Sequence, residues 1–356
     1  GLKEFYPDRS SVILNCDNCS PDDTEGVFLR TETEVSKIYI TTPPDTPGKG
    51  YNFENMFRKM LELDAEVLIC LDSDLMSPNL KDWVKYLSEP ILEGHDFVTP
   101  VYSRHKYDGT ITNNICYPLL YGLYCKNIRQ PIGGDFALSR RFAQHLVCQP
   151  WHRTTEEYGV DVFMTMNAVL GGFKTCTAGL GAKIHKPSAP KLGPMFIQVV
   201  CTAFLTVVRN IDSWKNLTDI EEPKLYGLQE MMPPQDLDVD RSVIETQARE
   251  EFSLNKDMLE KVLSSDLYKE LVAMYEGGTI DMSADQWVTA IYDMIAAFKT
   301  HPDQIALVKA FKGLYFGRTL AFMNKTWDMS SEEAEKDILA QAKLFHSRRD
   351  YLIEKL

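Results

Sequence analysis

Residues 67–71, Val-Leu-Ile-Cys-Leu, form an unbroken apolar run that stops at Asp72-Ser73-Asp74. A strand with no polar residue on either side of its pleat has no face to give to water, which predicts a parallel strand covered by helices on both faces. In open α/β sheets of that kind, ligands sit beyond the carboxyl ends of the strands. Asp72 and Asp74 fall at that edge, and because side chains alternate along an extended chain they can project the same way, as hard oxygen donors for Mg²⁺ or Mn²⁺. Asp-x-Asp alone is a weak signal in a chain with 51 acidic residues, and it recurs at Asp236-Leu237-Asp238 and Asp238-Val239-Asp240 in a polar, proline-preceded stretch. The competing use of the two carboxylates is capping of the next helix, yet Ser77-Pro78 offers its own N-cap and N1 proline.

The surrounding pattern alternates. Ser11–Asn15 and Lys37–Thr41 read as strands, Asn52–Leu63 as an amphipathic helix, Asn79–Glu93 as a helix and Asp96–Tyr102 as a strand. Gly133–Leu138, a helix near Asp161–Leu170, and short strands at Thr175–Ala178 and Lys183–His185 continue a mixed α/β sheet, closed by an apolar helix over 194–208. From Lys215 the character changes: Glu221-Glu222-Pro223, Pro233-Pro234 and the acidic run to Asp240 read as a linker. Beyond it Met258, Leu259, Val262, Leu263, Leu267, Leu271 and Met274 follow helical spacing and read as core or oligomer interface. Gly277-Gly278 ends that helix, and Ser283…Gln286 and Ser330…Glu333 are capping-box candidates. The expected division is 1–214 for the α/β domain and 215–356 for a helical domain.

A chain of 356 residues with 44% hydrophobic content buries a large core. Its formal charge of −13 argues against nucleic acid or anionic membrane as a general partner, since both require a basic surface. The apolar stretch from Pro194 to Val208 is interrupted by Gln198, Thr202 and Thr206 and falls short of the about 18 residues of a membrane span. With eight scattered cysteines and no signal peptide at the start, a cytoplasmic protein is expected. Cys16-Asp17-Asn18-Cys19 has C-x-x-C spacing, but no second pair stands at zinc spacing.

Four further segments line up in order with Asp72-Ser73-Asp74: Pro47-Gly48-Lys49-Gly50, Asp108-Gly109-Thr110-Ile111-Thr112, Gln130-Pro131-Ile132-Gly133-Gly134-Asp135-Phe136-Ala137, and Tyr158-Gly159-Val160-Asp161 with Ile184-His185-Lys186-Pro187. As an ordered set they resemble the retaining GT-A glycosyltransferases that make glucosyl-3-phosphoglycerate, with the mannosylglycerate synthases close behind. The resemblance covers roughly residues 11 to 209; it implies that a first strand, which helps hold the base, is lacking from this chain. Val12 to Thr24 resembles the second strand and following loop of a nucleotide-sugar-binding domain.

On the residues themselves, Lys49 offers a cation and its flanking glycines allow close backbone approach. Gly133-Gly134 lets amides approach a ligand, and Asp135 can accept hydrogen bonds from hydroxyls; a plain turn is the alternative there, as N-capping is for Asp161. The resemblance implies donor contacts from Lys49, Asp72, Ser73, Gly133 and Gly134, metal ligation by Asp74 and His185 with Asp72, and roles for Asp161 and Asp135 beside the transferred sugar. It implies an acceptor site at Gly109, Thr110, Thr112 and Lys186. There the chain departs from the pattern: where the resembled synthases carry Gly-Arg-x-Thr, this one has Gly109-Thr110-Ile111-Thr112, and the arginine that grips phosphate is a threonine. Arg104, His105, Lys106 and Lys186 are the candidates to compensate.

The expectation is therefore a metal-dependent hexosyltransferase with a GT-A domain and an α-helical C-terminal domain. It would use a nucleoside diphosphate sugar such as UDP-glucose or GDP-mannose, a small hydroxy-acid acceptor (3-phosphoglycerate or glycerate), and homodimerise through its helices. The rival readings are an inverting GT-A transferase acting on a polysaccharide or lipid acceptor, and a sugar-nucleotide-binding protein without turnover.

Overall fold

The computed structural model describes residues 1–46, 48–184, 192–230, 234 and 236–356. Contacts divide the chain into two units: Gly1–Ser103 with Ile132–Pro190 and Pro223–Met232, and Arg104–Pro131 with Lys191–Glu222 and Pro233–Leu356. The units interleave along the sequence, unlike a single boundary at 214/215. Helices Tyr117–Tyr124 and Leu192–Arg209 are apolar nearly all round, and such a helix needs neighbours on every side. Both group with the C-terminal helices.

The first unit is α/β, as the alternating pattern predicts. Strands β1 (Val12–Asp17) and β2 (Ser36–Thr41) pair in parallel as a two-stranded sheet. Strands β3 (Val67–Cys70), β4 (Phe97–Ser103), β5 (Phe136–Ser139), β6 (Thr175–Ala182) and β7 (Leu225–Gly227) form a second sheet in the order β3-β5-β4-β6-β7. β4, β6 and β7 run parallel, while β5 lies antiparallel between β3 and β4.

The apolar run at 67–71 thus stands at an edge of this sheet with an antiparallel neighbour, not inside a parallel one. Its two-sided cover is nonetheless real. Leu68 and Cys70 pack with Phe53, Phe57, Phe97, Phe136 and Phe142 on one face. Val67 and Ile69 pack with Trp83, Leu87, Val98, Ala137 and Leu180 on the other. Hydrophobic patterning reports what the side chains meet, which both arrangements satisfy; it carries nothing about the direction of the hydrogen-bonded partner.

Three local expectations also change. The helix after the acidic motif is Leu80–Leu92 with Asn79 at its N-cap, so Ser77 does not cap it. Instead Ser77 Oγ donates to Ala182 O at 2.9 Å and accepts from Ile184 N at 2.9 Å. The strands expected at 175–178 and 183–185 are one strand ending at Ala182, with Lys183 and Ile184 beyond it and His185 outside the described residues. The strand expected from Gly133 begins at Phe136.

The second unit is helical. A π-helical turn, Thr112–Cys116, leads into helix Tyr117–Tyr124, and every residue of both is buried. The wide turn releases backbone carbonyls that side chains then satisfy: Trp287 Nε1 donates to Asn114 O at 2.8 Å and Gln341 Nε2 to Asn113 O at 3.1 Å. The capping boxes at Ser283/Gln286 and Ser330/Glu333 form as expected, opening helices Ala284–Phe298 and Ser331–Ser347. Helix Ser265–Glu276 ends at Gly277. Among the described residues no helix is long and apolar enough to cross a membrane.

Candidate active site

Beyond the carboxyl end of β3 the first unit gathers five charged side chains. Asp72 Oδ1 lies 3.2 Å from Lys49 Nζ, and Asp72 Oδ2 accepts from Lys183 Nζ at 2.8 Å. Lys183 also donates to Asp135 Oδ2 at 2.7 Å and to Gly133 O at 2.9 Å. Lys49 lies 3.2 Å from Asp161 Oδ1 and 3.4 Å from Oδ2. Asp135 is fully buried; its Oδ1 accepts from the Asp72 amide at 2.8 Å and its Oδ2 takes a short hydrogen bond from Tyr102. Three carboxylates thus share two ammonium groups, an excess of one negative charge in a mostly desolvated corner.

That imbalance sets the titration of the group. Burial pushes Asp72 up, but Lys49 and Lys183 pull harder and leave it well below the usual carboxylate range. Asp161 ends above its ordinary value, because burial, with the charge of Asp72 added to it, outweighs the pull of Lys49 and the weaker one of Lys183. Lys49 is disfavoured by burial, yet the carboxylates of Asp161, Asp72 and Asp135 more than offset this and raise it. Environments that drive neighbouring carboxyl groups apart are characteristic of functional sites.

The local backbone explains the convergence. Gly134 has φ +88°, and a Cβ there would stand 2.3 Å from Asp72 Oδ2, so the loop entering β5 can reach the acid only without a side chain. Gly48 and Gly50 allow the close backbone approach expected of them: a Cβ on either would fall 2.3 Å and 2.1 Å from the carbonyls of Glu156 and Thr155. These glycines let helix Lys49–Glu62 start against residues 155–157, with Gly50 N donating to Glu157 O at 3.0 Å. The same packing carries Lys49 to Asp161, in the first turn of helix Val160–Leu170, whose N-cap is Gly159.

Sequence reasoning named Lys49, Asp72, Gly133, Gly134, Asp135 and Asp161, and the fold brings all six together. It missed Lys183 and Tyr102. The usable signal for Lys183 was its place just past the end of a strand neighbouring the site strands. Ser73 is exposed and Asp74 half-buried in the turn that follows β3. No hydrogen bond or ion pair engages the Asp74 carboxylate among the described residues. His185 and Lys186 lie outside the described residues. Among those described, no group of three His, Cys, Asp or Glu side chains is arranged to hold a metal.

Gly109, Thr110 and Thr112 belong to the second unit. Gly109 has φ +68°, and a Cβ on it would sit 2.9 Å from Arg104 Nη1 and 3.6 Å from Thr112 Oγ1. Thr110 shares a short hydrogen bond with the buried Tyr315 hydroxyl. Lys106 is committed to carbonyls of Thr326 at 2.7 Å and Met329 at 2.6 Å, which removes it as a substitute for the absent arginine.

Comparison with known proteins bears on the first unit most directly. Residues 32–182 match the family described as mannosylglycerate synthase, GT domain. Among solved structures, glucosyl-3-phosphoglycerate synthase from Mycobacterium tuberculosis in complex with phosphoglyceric acid is 24% identical, over 54% of this chain and 67% of that one, with a TM-score of 0.43. The same enzyme with Mg²⁺ and uridine diphosphate is 25% identical over 55% and 67%, with a TM-score of 0.44. Its complex with Mn²⁺, UDP-glucose and phosphoglyceric acid is 25% identical over 54% and 67%, with a TM-score of 0.43. No curated protein matches the chain. Residues 32–182, which hold Lys49, Asp72, Asp135 and Asp161, are thus similar to the glycosyltransferase domain of mannosylglycerate synthase.

Proposed function

We propose that this domain moves glucose or mannose from a nucleoside diphosphate sugar to the hydroxyl of 3-phosphoglycerate or glycerate, with Mg²⁺ or Mn²⁺ and with retention of configuration at the anomeric carbon. The observation that carries this reading is the cluster of Lys49, Asp72, Asp135, Asp161 and Lys183 at the end of β3 inside a glycosyltransferase domain. UDP-glucose and GDP-mannose are the donors to try first.

The residues present fit a divalent cation. Mg²⁺ is ordinarily held by one or two carboxylates together with substrate phosphates, so a cage of three protein ligands is not required. Asp74 supplies a hard oxygen with no protein cation against it among the described residues, and His185 is the proposed second ligand. When bound, the cation neutralises charge on the departing diphosphate. Lys49, whose side chain is 21% exposed, offers its ammonium to the donor phosphates while Asp72 and Asp161 hold it in place. Asp161 orients the reacting groups, and the backbone of Gly133-Gly134 lines the donor side with Asp135 fixing its shape. The acceptor is assigned to Gly109, Thr110, Thr112 and Lys186, with Arg104 Nη1 beside the Gly109 turn. No disulfide joins any of the eight cysteines, which suits a reducing cytoplasm.

A matrix of donors (UDP-glucose, GDP-glucose, GDP-mannose) against acceptors (3-phosphoglycerate, glycerate) tests the reading with Mg²⁺, Mn²⁺ or EDTA. Metal-dependent transfer to one of these acid acceptors is expected, and the anomeric coupling of the product by NMR is expected to show an α-glycoside. A β-glycoside identifies an inverting enzyme, and nucleotide binding without transfer or donor hydrolysis identifies a binder without turnover.

A further inference from the structure

Lys183 differs from the other cation of the cluster in having no donor left over. An ammonium group has three N–H bonds, and those of Lys183 have three partners: Asp135 Oδ2 at 2.7 Å, Asp72 Oδ2 at 2.8 Å and Gly133 O at 2.9 Å. Its side chain is 5% exposed, against 21% for Lys49. The chain on either side is fixed as well, since Ser77 Oγ bonds to Ala182 O and Ile184 N, and Nζ stands 5.1 Å from the centroid of the Tyr102 ring. Such a lysine cannot grip a substrate phosphate without giving up an internal bond. What it does instead is hold one oxygen of Asp72, whose other oxygen faces Lys49 at 3.2 Å.

We propose that Lys183 is a positioning residue that keeps Asp72 away from direct metal ligation, so that of the Asp-Ser-Asp pair Asp74 alone meets the cation while Asp72 orders Lys49 and the Gly133-Gly134 loop. This rests on the donor reading above. It has an unusual consequence. Replacing Lys183 by an uncharged residue removes a positive charge from the cluster and releases an Asp72 oxygen, so the protein should bind a bare divalent cation more tightly while transferring sugar more slowly. A residue that served only to stabilise the fold would do neither.

The experiment measures Mn²⁺ binding to the full chain without nucleotide, by the electron paramagnetic resonance signal of free Mn²⁺, and UDP binding by calorimetry. Lys183→Met is expected to bind Mn²⁺ about tenfold more tightly than wild type, with kcat at least about tenfold lower and a smaller change in KM for the donor. Lys183→Arg, which keeps the charge, should retain the wild-type Mn²⁺ affinity. If the Met variant does not fold, Lys183→Met with Asp135→Asn removes both members of the buried pair and the uncompensated charge with them, and it should show the same tighter Mn²⁺ binding. Unchanged or weaker Mn²⁺ binding in the folded variant, beside normal binding in wild type, overturns the role of Lys183 alone. A wild-type protein that binds neither Mn²⁺ nor UDP overturns the donor reading and this inference together.

Discussion

Both units of this chain bury charge, and they do so in opposite ways. In the helical unit each of these buried charges has partners of its own. Arg318, 4% exposed, donates to Gln341 Oε1 at 2.7 Å and to Met282 O at 2.8 Å. Asp293 accepts from Ser264 N at 2.8 Å and Tyr351 at 2.6 Å, with Lys355 as its cation. Arg349 reaches backbone carbonyls of Lys215 and Leu217. These contacts tie helix ends and loops together. In the α/β unit, by contrast, Asp72, Asp135 and Asp161 compete for Lys49 and Lys183, and two of the acids are driven to opposite sides of the ordinary carboxylate range. A fold needs no such crowding, because buried like charges cost stability unless each is separately paired. An excess of negative charge is what a bound cation would offset.

The largest effect that sharpens this contrast is expected from Asp74→Ala. Its carboxylate is half-buried and holds nothing else in place among the described residues, so turnover and Mn²⁺-dependent nucleotide binding should fall by about a hundredfold or more with the melting temperature unmoved. Full activity in this variant, or in EDTA, removes the metal from the scheme. Arg318→Ala should do the reverse. Burial lowers the Arg318 guanidinium to about 10, which still leaves it charged at neutral pH; what the variant loses is packing and the donor to Gln341 Oε1 and the Met282 carbonyl. A loss of about 2–3 kcal/mol in unfolding free energy is expected, with UDP affinity unchanged. A change in UDP affinity without loss of stability would dissolve the distinction between the two kinds of buried charge.

The same contrast marks what could be read from the sequence. Helix periodicity, both capping boxes and Gly277 at a helix end were legible because each depends on residues within a few positions of one another. Asp72, Asp135 and Asp161 were legible because short motifs mark the ends of strands and helices where ligands gather. Lys183 was not: it meets Asp72 across 111 positions and Asp135 across 48, and its place just past a strand end shows only once that strand is known to run to Ala182. Strand direction at β3 was hidden because an apolar run satisfies parallel and antiparallel neighbours alike. The π-helical turn at Thr112–Cys116 was hidden because the donors that satisfy it, Trp287 and Gln341, come from distant helices.

A third prediction concerns the loop of the helical unit to which the acceptor is assigned. Thr110 is engaged with Tyr315 and brings no cation. Discrimination for 3-phosphoglycerate over glycerate should accordingly be weak, and Thr110→Arg should raise the ratio of kcat/KM for the two acceptors about tenfold, the contribution of one charge-assisted hydrogen bond at about 1.5 kcal/mol. An unchanged ratio assigns phosphate recognition to Arg104 or Lys186.

The smallest expected effect is the most direct reading of the charge imbalance, and it turns on sign. Asp161 sits above its ordinary range in the folded protein, burial being the main cause. Ionising it therefore costs the native state more than the unfolded one. That cost is absent well below pH about 4, where both states are protonated, and present at neutral pH. Asp161→Asn should then raise the melting temperature slightly at pH 7, and the gain should shrink as the pH falls towards 4. Asp72 has the opposite sign: its depressed value contributes stability above its unfolded pKa that is lost as pH falls through the folded one, so Asp72→Asn should destabilise at pH 7 and converge on wild type in acid. Thermal melts of the two variants at pH 7 and pH 4 decide the matter. If both asparagine variants shift the same way, the two carboxylates are not competing for Lys49.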